Sequence, residues 1–127
     1  MTLKLSGAGL AVARQVPPIA VDAAVGAFEL TLDVLGVWPE SKILWLAPSD
    51  PPQALGDLEA KLWDALIERG FRGEERTYRP HVTLARRSRA FEAAVEPVRW
   101  QVRELALVES FPDGRNVHYE VLERWLL

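Results

Sequence analysis

One segment of the chain, Tyr78 to Arg86, brings together side chains that can carry out phosphate chemistry; it reads YRPHVTLAR. If its second half forms a strand, His81 and Thr83 point to the same face. An imidazole, which titrates near neutrality, then lies beside a hydroxyl that can bond to it or to a phosphate oxygen. Arg79 and Arg86 flank this pair. Phosphoryl transfer without a metal requires a proton shuttle, an orienting group and a cation, and this segment offers one of each. The alternative interpretation is that His81 is an ordinary structural histidine of a strand.

The charge of the chain is unevenly distributed. Its net charge is −3, which argues against a nucleic-acid partner when the chain is taken as a whole. Residues 69–103, however, hold nine of the fifteen basic side chains, all arginines, against four glutamates. A local arginine field on an acidic protein is typical of a phosphate-binding patch. A solvated face that happens to use arginine is the alternative interpretation.

Composition and motifs exclude several classes of site. The chain has no cysteine, and therefore neither a disulfide nor a thiolate ligand or nucleophile. Its sequence lacks a glycine-rich phosphate loop and the GxGxxG, GxSxG, HExxH and calcium-loop patterns. Two histidines, His81 and His118, are too few for a histidine-rich metal site unless carboxylates complete it. We expect no metal and no cofactor, and we interpret His118 as an ordinary exposed strand residue.

The hydrophobic pattern of the first half predicts the elements that precede this segment. Residues 2–6 alternate as a half-buried strand, and residues 17–27, small and apolar behind two prolines, predict a short helix. Residues 28–34 alternate as a second strand, and residues 36–41 predict a turn. Residues 42–47 (KILWLA) form an apolar run that is typical of a central strand.

The most regular pattern in the chain follows Asp50. This residue and the two prolines after it predict a helix start. Leucines then recur at three- and four-residue spacing as far as Glu68, which gives the helix one apolar stripe. Gly70 predicts a left-handed C-cap at its end.

The C-terminal third predicts strands. In the segment Tyr78 to Arg86, Val82 and Leu84 are expected to point into the core. Residues 102–108 and 117–125 predict two closing strands, joined by a turn at Pro112-Asp113-Gly114.

The order of these elements indicates an α+β class with antiparallel strands and two helices. A chain of 127 residues is near the commonest domain size, so residues 1–127 are expected to form one domain. Its apolar runs are too short to span a bilayer, and MTLKLSGAGL does not resemble a signal peptide. Together with the absence of cysteine, this predicts a cytoplasmic protein without a membrane partner.

The letters PHVTLAR strongly resemble the second His-x-Thr-x motif of the two-histidine phosphoesterases, in the branch of RNA 2′,3′-cyclic phosphodiesterases and 2′-5′ RNA ligases. The stretch FELTLDVLGVWPESKILWLAP is similar to the strand-turn-strand that precedes the second helix of that family. The leucine-rich helix and the closing strands ending in VLERWLL fit as well. The resemblance covers most of the chain, from residue 2 to residue 127.

The resemblance implies a mechanism. Family members carry two such motifs, one in each pseudo-symmetric half, and one histidine acts as general acid while the other acts as general base. Water then opens a 2′,3′-cyclic phosphate to a 2′-phosphomonoester without a metal. His81 and Thr83 match the second motif, Arg86 matches the arginine that contacts the phosphate, and Arg79 adds positive charge. Strict alternation turns Arg86 away from His81, so we expect the strand to end or to bulge before it.

The first motif departs from the family pattern. The family reads roughly His-Leu-Thr-Leu-Arg-Phe-Leu-Gly, whereas this chain opens with Met1-Thr2-Leu3-Lys4-Leu5-Ser6-Gly7. Thr2 matches the motif threonine and is expected to orient the phosphate. Lys4 is expected to add positive charge on the same face, with a solvated edge-strand lysine as the alternative. The motif histidine would stand immediately before Met1, and the upstream strand and helix of the family are expected to be missing.

Three interpretations of this opening compete: a misassigned start or truncation, a natural short form that binds phosphates without turnover, and a second chain that supplies the missing elements by swapping. Losing one member of an acid–base pair typically costs ~10²–10⁴ in rate, so the chain alone is expected to be a poor catalyst. An open strand edge and exposed apolar faces also predict a homodimer or another partner.

Two aromatic side chains near the motif are candidates for base stacking. Trp38 lies in the predicted proline-containing turn, and Tyr78 lies just before the motif. Trp45, Trp63 and Trp100 lie beside apolar runs and are expected in the core.

The sequence thus predicts an α+β domain that resembles a two-histidine phosphoesterase lacking its first strand and helix. The expected function is hydrolysis of RNA 2′,3′-cyclic phosphate ends, and the alternative is a non-catalytic binder of phosphorylated RNA ends or nucleotides. Both predict a phosphate affinity that depends on Arg86 and weakens with salt. The enzyme alone predicts turnover that is lost in His81→Ala.

Overall fold

The computed structural model describes residues 2–4, 25–72, 77–90 and 92–127, with the backbone alone for residues 2–4. In chain order the described elements are β1 (Thr2–Lys4), β2 (Phe28–Leu32), β3 (Val34–Trp38), β4 (Ile43–Ala47), α1 (Gln53–Glu68), β5 (Val82–Ala85), β6 (Val98–Val102), β7 (Glu104–Asp113) and β8 (Asn116–Leu126). The predicted α+β class is confirmed. Within the described ranges, α1 is too short and too polar to cross a membrane.

The strands form three sheets. One sheet has the order β1-β7-β8, the second pairs β2 with β6, and the third has the order β3-β4-β5. The pairings of β3 with β4, β4 with β5 and β7 with β8 are antiparallel, whereas β1 runs parallel to β7. The expectation of antiparallel strands is therefore wrong for β1. The central position predicted for residues 42–47 is confirmed, because β4 has a neighbour on each side.

Contacts within the chain divide it into two compact units. The first comprises Met1–Ala27, Asp57–Gly73 and Val102–Leu127, and the second comprises Phe28–Gly56 and Glu74–Gln101. The first unit has a core of Leu62, Leu66 and Leu105, against which other apolar side chains pack: Trp63, Ala65, Phe71, Trp125 and Leu127. In the second unit the buried apolar side chains among the described residues are Leu30, Leu32, Leu46 and Leu55.

Helix α1 ends as its sequence predicts. Gly70 has a φ of 87°, a left-handed conformation that costs glycine little. The N–H of Gly70 donates to the carbonyl of Ile67 at 2.9 Å, and the N–H of Phe71 donates to the carbonyl of Leu66 at 3.1 Å. This pair of bonds is a Schellman motif, completed by the packing of Phe71 against the Leu66 cluster. The helix begins at Gln53, three residues after the predicted start at Asp50.

Several boundaries differ from the sequence pattern. The alternating run 28–34 is two strands, because the chain changes partners at Asp33: β2 pairs with β6, and β3 pairs with β4. The turn predicted over 36–41 begins later, since β3 continues to Trp38. The sequence pattern does not predict strand β6, because the first closing strand is predicted to begin only at residue 102, where β6 ends. Of the helix predicted over 17–27, residues 17–24 lie outside the described residues, and Val25 to Ala27 are not helical.

The closing hairpin is longer than the sequence pattern predicts. Strands β7 and β8 pair from Glu104 opposite Leu126 to Asp113 opposite Asn116, which leaves a two-residue turn. Gly114 takes a positive φ of 59° in this turn, as tight hairpin turns require. Pro112 belongs to β7 and not to the turn, because it is paired with β8. Arg124 of β8 also forms an ion pair with Glu104 across the hairpin.

Asp33 and Ser49 close the open end of the β3–β4 hairpin. The Asp33 carboxylate accepts hydrogen bonds from the Ser49 N–H at 2.7 Å and from the Ser49 hydroxyl at 2.6 Å. The Asp33 N–H in turn donates to the carbonyl of Ala47 at 3.1 Å. The hydroxyl bond, followed by the backbone bond, lowers the pKa of Asp33 below its usual value.

We expect Asp33→Asn to lower the urea midpoint of unfolding at pH 7 and to lose this effect in acid. A carboxyl whose pKa is lowered on folding contributes stability above its unfolded-state pKa of about 4, and that stability disappears as the pH falls through the folded-state pKa. The measurement is urea unfolding of both proteins between pH 7 and pH 2.5. Asp64→Asn at an exposed position of helix α1 is the matched control; an equal shift in it would contradict a specific role for Asp33.

Candidate active site

The sheet β3-β4-β5 places two of the predicted site residues, Trp38 and Thr83, on one face. Gly36 lies opposite Trp45, and Trp45 lies opposite Thr83 on its other side. Directly opposed residues share a face of an antiparallel sheet, and so do residues two apart on one strand. Trp38 therefore belongs to the same face as Gly36, Trp45 and Thr83. The opposite face carries a second set of residues: Leu35, Val37, Leu44, Leu46 and Val82.

The space above Gly36 holds the indole of Trp45. A Cβ atom at position 36 would come closer than 3.0 Å to three atoms of the six-membered ring of Trp45. The glycine is therefore needed for close approach of a side chain. The ring of Trp45 in turn lies against Trp38, with 5.8 Å between centroids and planes inclined by 39°. Trp38, predicted to be a free turn residue, is packed at the end of β3 instead.

His81 lies directly before β5 and has two contacts that hold its ring. Its Nδ1 lies 2.7 Å from the carbonyl oxygen of Arg79. A carbonyl oxygen only accepts, so this bond needs a proton on Nδ1, and in the neutral imidazole the lone pair is then on Nε2. The ring also meets Trp38 edge to face, with 4.6 Å between centroids and planes inclined by 74°. The residue is exposed, and its Nε2 forms no hydrogen bond with another described residue.

Thr83 and Arg86 follow His81 along β5 and are both exposed. The Thr83 hydroxyl forms no hydrogen bond within the described part of the chain. His81 is hydrogen-bonded to the Arg79 carbonyl and not to Thr83. The pairing of β4 with β5 shifts register between Leu44 and Trp45, and β5 ends at Ala85. The expected bulge and strand end before Arg86 are therefore confirmed. Because a bulge reverses the alternation, Arg86 is no longer turned away from the His81 face.

Two apolar residues of this segment are not in the core. Val82 is 36% exposed and Leu84 is 51% exposed, so the expected burial of both is wrong. The reason is their position at the sheet edge, where β5 has one neighbouring strand and not two. Trp100 on β6, also expected in the core, is 43% exposed.

The remaining predicted residues lie in different places. Arg79 supplies its carbonyl to His81, and Tyr78 precedes it with a 41% exposed side chain. Thr2 and Lys4 belong to β1, which pairs with β7 in the first unit; their side chains lie outside the described atoms. The structure therefore brings together His81, Thr83 and Trp38.

Sequence reasoning missed the support beneath His81. It placed Trp38 in a turn and Trp45 in the core, whereas the two indoles form a continuous layer that ends at the imidazole. The available signal was Gly36: a glycine within an apolar strand often marks the close approach of another group. His118, the other histidine, is exposed on β8 opposite Phe111, with 6.4 Å between ring centroids.

This arrangement suits proton transfer to or from a phosphate group. An accessible Nε2 on a ring of fixed orientation can take a proton when neutral or give one when charged. A hydroxyl two residues away and an arginine after the strand can contact the non-bridging oxygens.

Comparison with known proteins agrees with this chemistry. Residues 10–113 match the family described as the 2′-5′ RNA ligase superfamily. The chain is 37% identical over 106 residues to the RNA 2′,3′-cyclic phosphodiesterase of Escherichia coli strain K12. That match covers 79% of this chain and 58% of the relative, so the chain spans less than two thirds of the relative's length.

Solved structures share the fold. A crystal structure of a phosphoesterase superposes with a TM-score of 0.75 and 27% identity, covering 97% of this chain and 71% of that one. The crystal structure of Escherichia coli LigT complexed with 3′-AMP gives a TM-score of 0.68 and 27% identity, covering 94% and 67%.

We expect Gly36→Ala to destabilise the protein by about 1–3 kcal/mol, because the added methyl forces the Trp45 ring to move. Gly56→Ala is the matched control: position 56 is exposed on helix α1 with open space around it, and alanine there should stabilise by about 0.5–1 kcal/mol. Urea unfolding measures both changes. A stabilising Gly36→Ala would contradict the packing described here.

Proposed function

Because the chain belongs to the 2′-5′ RNA ligase superfamily, we propose that it acts on RNA ends that carry a 2′,3′-cyclic phosphate and opens them by hydrolysis. The observation that carries the proposal is the anchored imidazole of His81 beside Thr83, followed by Arg86 after the bulge. The identity with an RNA 2′,3′-cyclic phosphodiesterase supports the choice of substrate. The complexes of LigT with 3′-AMP, ATP and NADP+ support nucleotide recognition.

The reaction involves two proton transfers in opposite directions. Water attacks phosphorus and loses a proton, the bond between phosphorus and O3′ breaks, and O3′ gains a proton. The product is a 2′-phosphomonoester with a free 3′-hydroxyl. His81 carries one of these transfers through Nε2, since Nδ1 is engaged with the Arg79 carbonyl. Thr83 and Arg86 hold the non-bridging oxygens, on which negative charge develops, and the mechanism proposed here uses no metal.

The second transfer needs a group other than His81. The chain holds two histidines, and His118 is paired with Phe111 on exposed β8, without a threonine two residues later. We therefore assign it no role. Among the described residues no second imidazole is placed to carry the opposite transfer, and losing one member of an acid–base pair typically costs ~10²–10⁴ in rate.

Non-catalytic binding of phosphorylated RNA ends is the second candidate function, favoured by the single motif histidine. It shares the phosphate contacts of Thr83 and Arg86 but predicts affinity without turnover. Hydrolysis of 2′,3′-cyclic AMP, followed by chromatography of the 2′-phosphate product over long incubations, separates the two. Product formation supports the enzyme; tight binding with no product above background supports the binder.

We expect His81→Ala to lower the hydrolysis rate by at least ~10², because no other described group replaces Nε2 as the proton-transfer atom. The affinity for adenosine 2′-phosphate should change less than threefold, since the phosphate contacts remain. His118→Ala is the matched control and should leave both quantities unchanged. A His81→Ala protein that retains its rate would exclude His81 as the proton-transfer residue.

Arg86→Gln is expected to weaken binding of adenosine 2′-phosphate about tenfold and to reduce the dependence of the affinity on salt, because a charge-assisted bond is lost. Titration calorimetry at two salt concentrations measures both effects. Arg103→Gln removes the same charge at an exposed position between β6 and β7 and should have little effect. Equal losses in both variants would point to net charge and not to a contact.

A further inference from the structure

A groove of about 520 Å³ lies at the end of the β3-β4-β5 sheet, within the second unit. We refer to it as the cationic groove. Four of its lining residues are polar: Lys42, Arg87, Ser88 and Arg89. The rest are small or apolar: Val37, Pro39 and Ala90. The described lining therefore carries three positive charges and no carboxylate.

Two of the three cations have a backbone that side chains rarely adopt. Lys42 has a φ of 54° and Arg87 a φ of 57°, and they are the two non-glycine residues with positive φ in the part of the chain that the structure describes. Each such residue costs of order 1–3 kcal/mol, and such strain concentrates at ligand sites. Both positions belong to one groove, although glycine or asparagine would adopt this conformation more easily.

Backbone hydrogen bonds hold these two residues together. The N–H of Lys42 donates to the carbonyl of Trp38 at 2.8 Å, and the carbonyl of Lys42 accepts from the N–H of Ser88 at 2.8 Å. The turn after β3 and the segment after β5 are thereby tied side by side. Hydrogen bonds therefore hold the backbone of the cationic groove, and one of them joins it to Trp38, the residue against which His81 packs.

The three cations are also available to an anion. No carboxylate within residues 25–72, 77–90 and 92–127 forms an ion pair with Lys42, Arg87 or Arg89. Arginine forks and a lysine ammonium around a concave surface are the groups that bind phosphate oxygens. Val37 of the groove lies on the sheet face opposite Trp38, so the groove is on the other side of the sheet edge from the face that carries Trp38 and Thr83.

Arg86 and Arg87 connect the groove to the site. They are consecutive, with Cα atoms about 3.8 Å apart. The 2′,3′-cyclic phosphate is at the 3′ end of an RNA, so the rest of the strand extends from it in the 5′ direction as a series of phosphodiesters. A strand whose terminal phosphate sits at Arg86 can pass around the sheet end and place the next phosphodiester at Arg87.

We propose that the cationic groove binds the phosphodiester on the 5′ side of the terminal nucleotide, so that the chain prefers RNA strands to mononucleotides. This inference rests on the proposed function, because it takes the terminal phosphate to lie at His81, Thr83 and Arg86. Lys42 and Arg87 hold the phosphodiester, and Arg89 adds to the local positive potential.

The test compares two product-type ligands that cannot turn over: adenosine 2′-phosphate and a triadenylate with a 2′-phosphate at its 3′ end. The variant is Lys42→Asn/Arg87→Asn, which removes both charges while asparagine tolerates the left-handed backbone. Its fold is checked by its urea midpoint. Arg86→Gln serves as the variant expected to weaken both ligands, and Arg115→Gln in the β7–β8 turn serves as the charge control.

The double variant should bind the trinucleotide about tenfold more weakly, with unchanged affinity for the mononucleotide. The plot of log affinity against log salt should also become shallower, by about 0.7 in slope for each phosphate contact that is lost. Equal weakening of both ligands, or a trinucleotide effect no larger than that of Arg115→Gln, would overturn the groove assignment while leaving the proposed function intact. If the unaltered chain binds neither ligand, the proposed function fails, and the groove assignment fails with it.

Discussion

The close approach of Trp45 to Gly36 is the constraint on which the site depends. The indole fills the space that a side chain at position 36 would occupy, and Trp38 packs against its outer side. The Nε1 of Trp45 is buried without a hydrogen-bond partner among the described residues, a cost of about 1–3 kcal/mol. Packing over the glycine therefore sets the orientation of this ring, since no polar contact does. The next ring in the layer is the imidazole of His81.

An exposed histidine on a sheet edge needs an anchor if it is to act at a defined position. A side chain in water samples several rotamers, and each unproductive one lowers the effective concentration of the proton-transfer atom. Two contacts reduce this freedom: Nδ1 lies 2.7 Å from the Arg79 carbonyl oxygen, and the ring meets Trp38 edge to face. The bond to the Arg79 carbonyl does not use Nε2. The same local geometry thus restricts the ring while Nε2 keeps its lone pair for the proton transfer proposed above.

The sequence predicted what depends on local periodicity and on the motif. Helix α1 has leucines on one face and a glycine cap, and both its body and its Schellman end follow from them. The expectation that β5 ends or bulges before Arg86 came from counting alternation. The change of partner at Asp33 and the parallel pairing of β1 could not be predicted, because they depend on which distant strands lie alongside.

The site itself shows the same division between local and non-local information. His81, Thr83 and Arg86 are recognisable because they are close in sequence. Trp38 was assigned to a turn because Pro39 follows it, whereas its position is decided by Trp45 across the hairpin and by Gly36 two residues before. The exposure of Val82 and Leu84 depends on the edge position of β5, which alternation does not encode.

One irregularity in strand pairing decides on which side of the sheet edge each of two consecutive arginines lies. Without the register shift at Leu44 and Trp45, strict alternation would direct Arg86 away from His81 and bring its neighbour Arg87 to that face. With the shift, Arg86 follows the site while Arg87 turns, in a left-handed conformation, into the cationic groove. Two consecutive cations therefore lie on two sides of one sheet edge. A polymer with regularly spaced phosphates is the kind of ligand that can contact both sides, and the proposed preference for an RNA strand over a free nucleotide rests on this edge geometry.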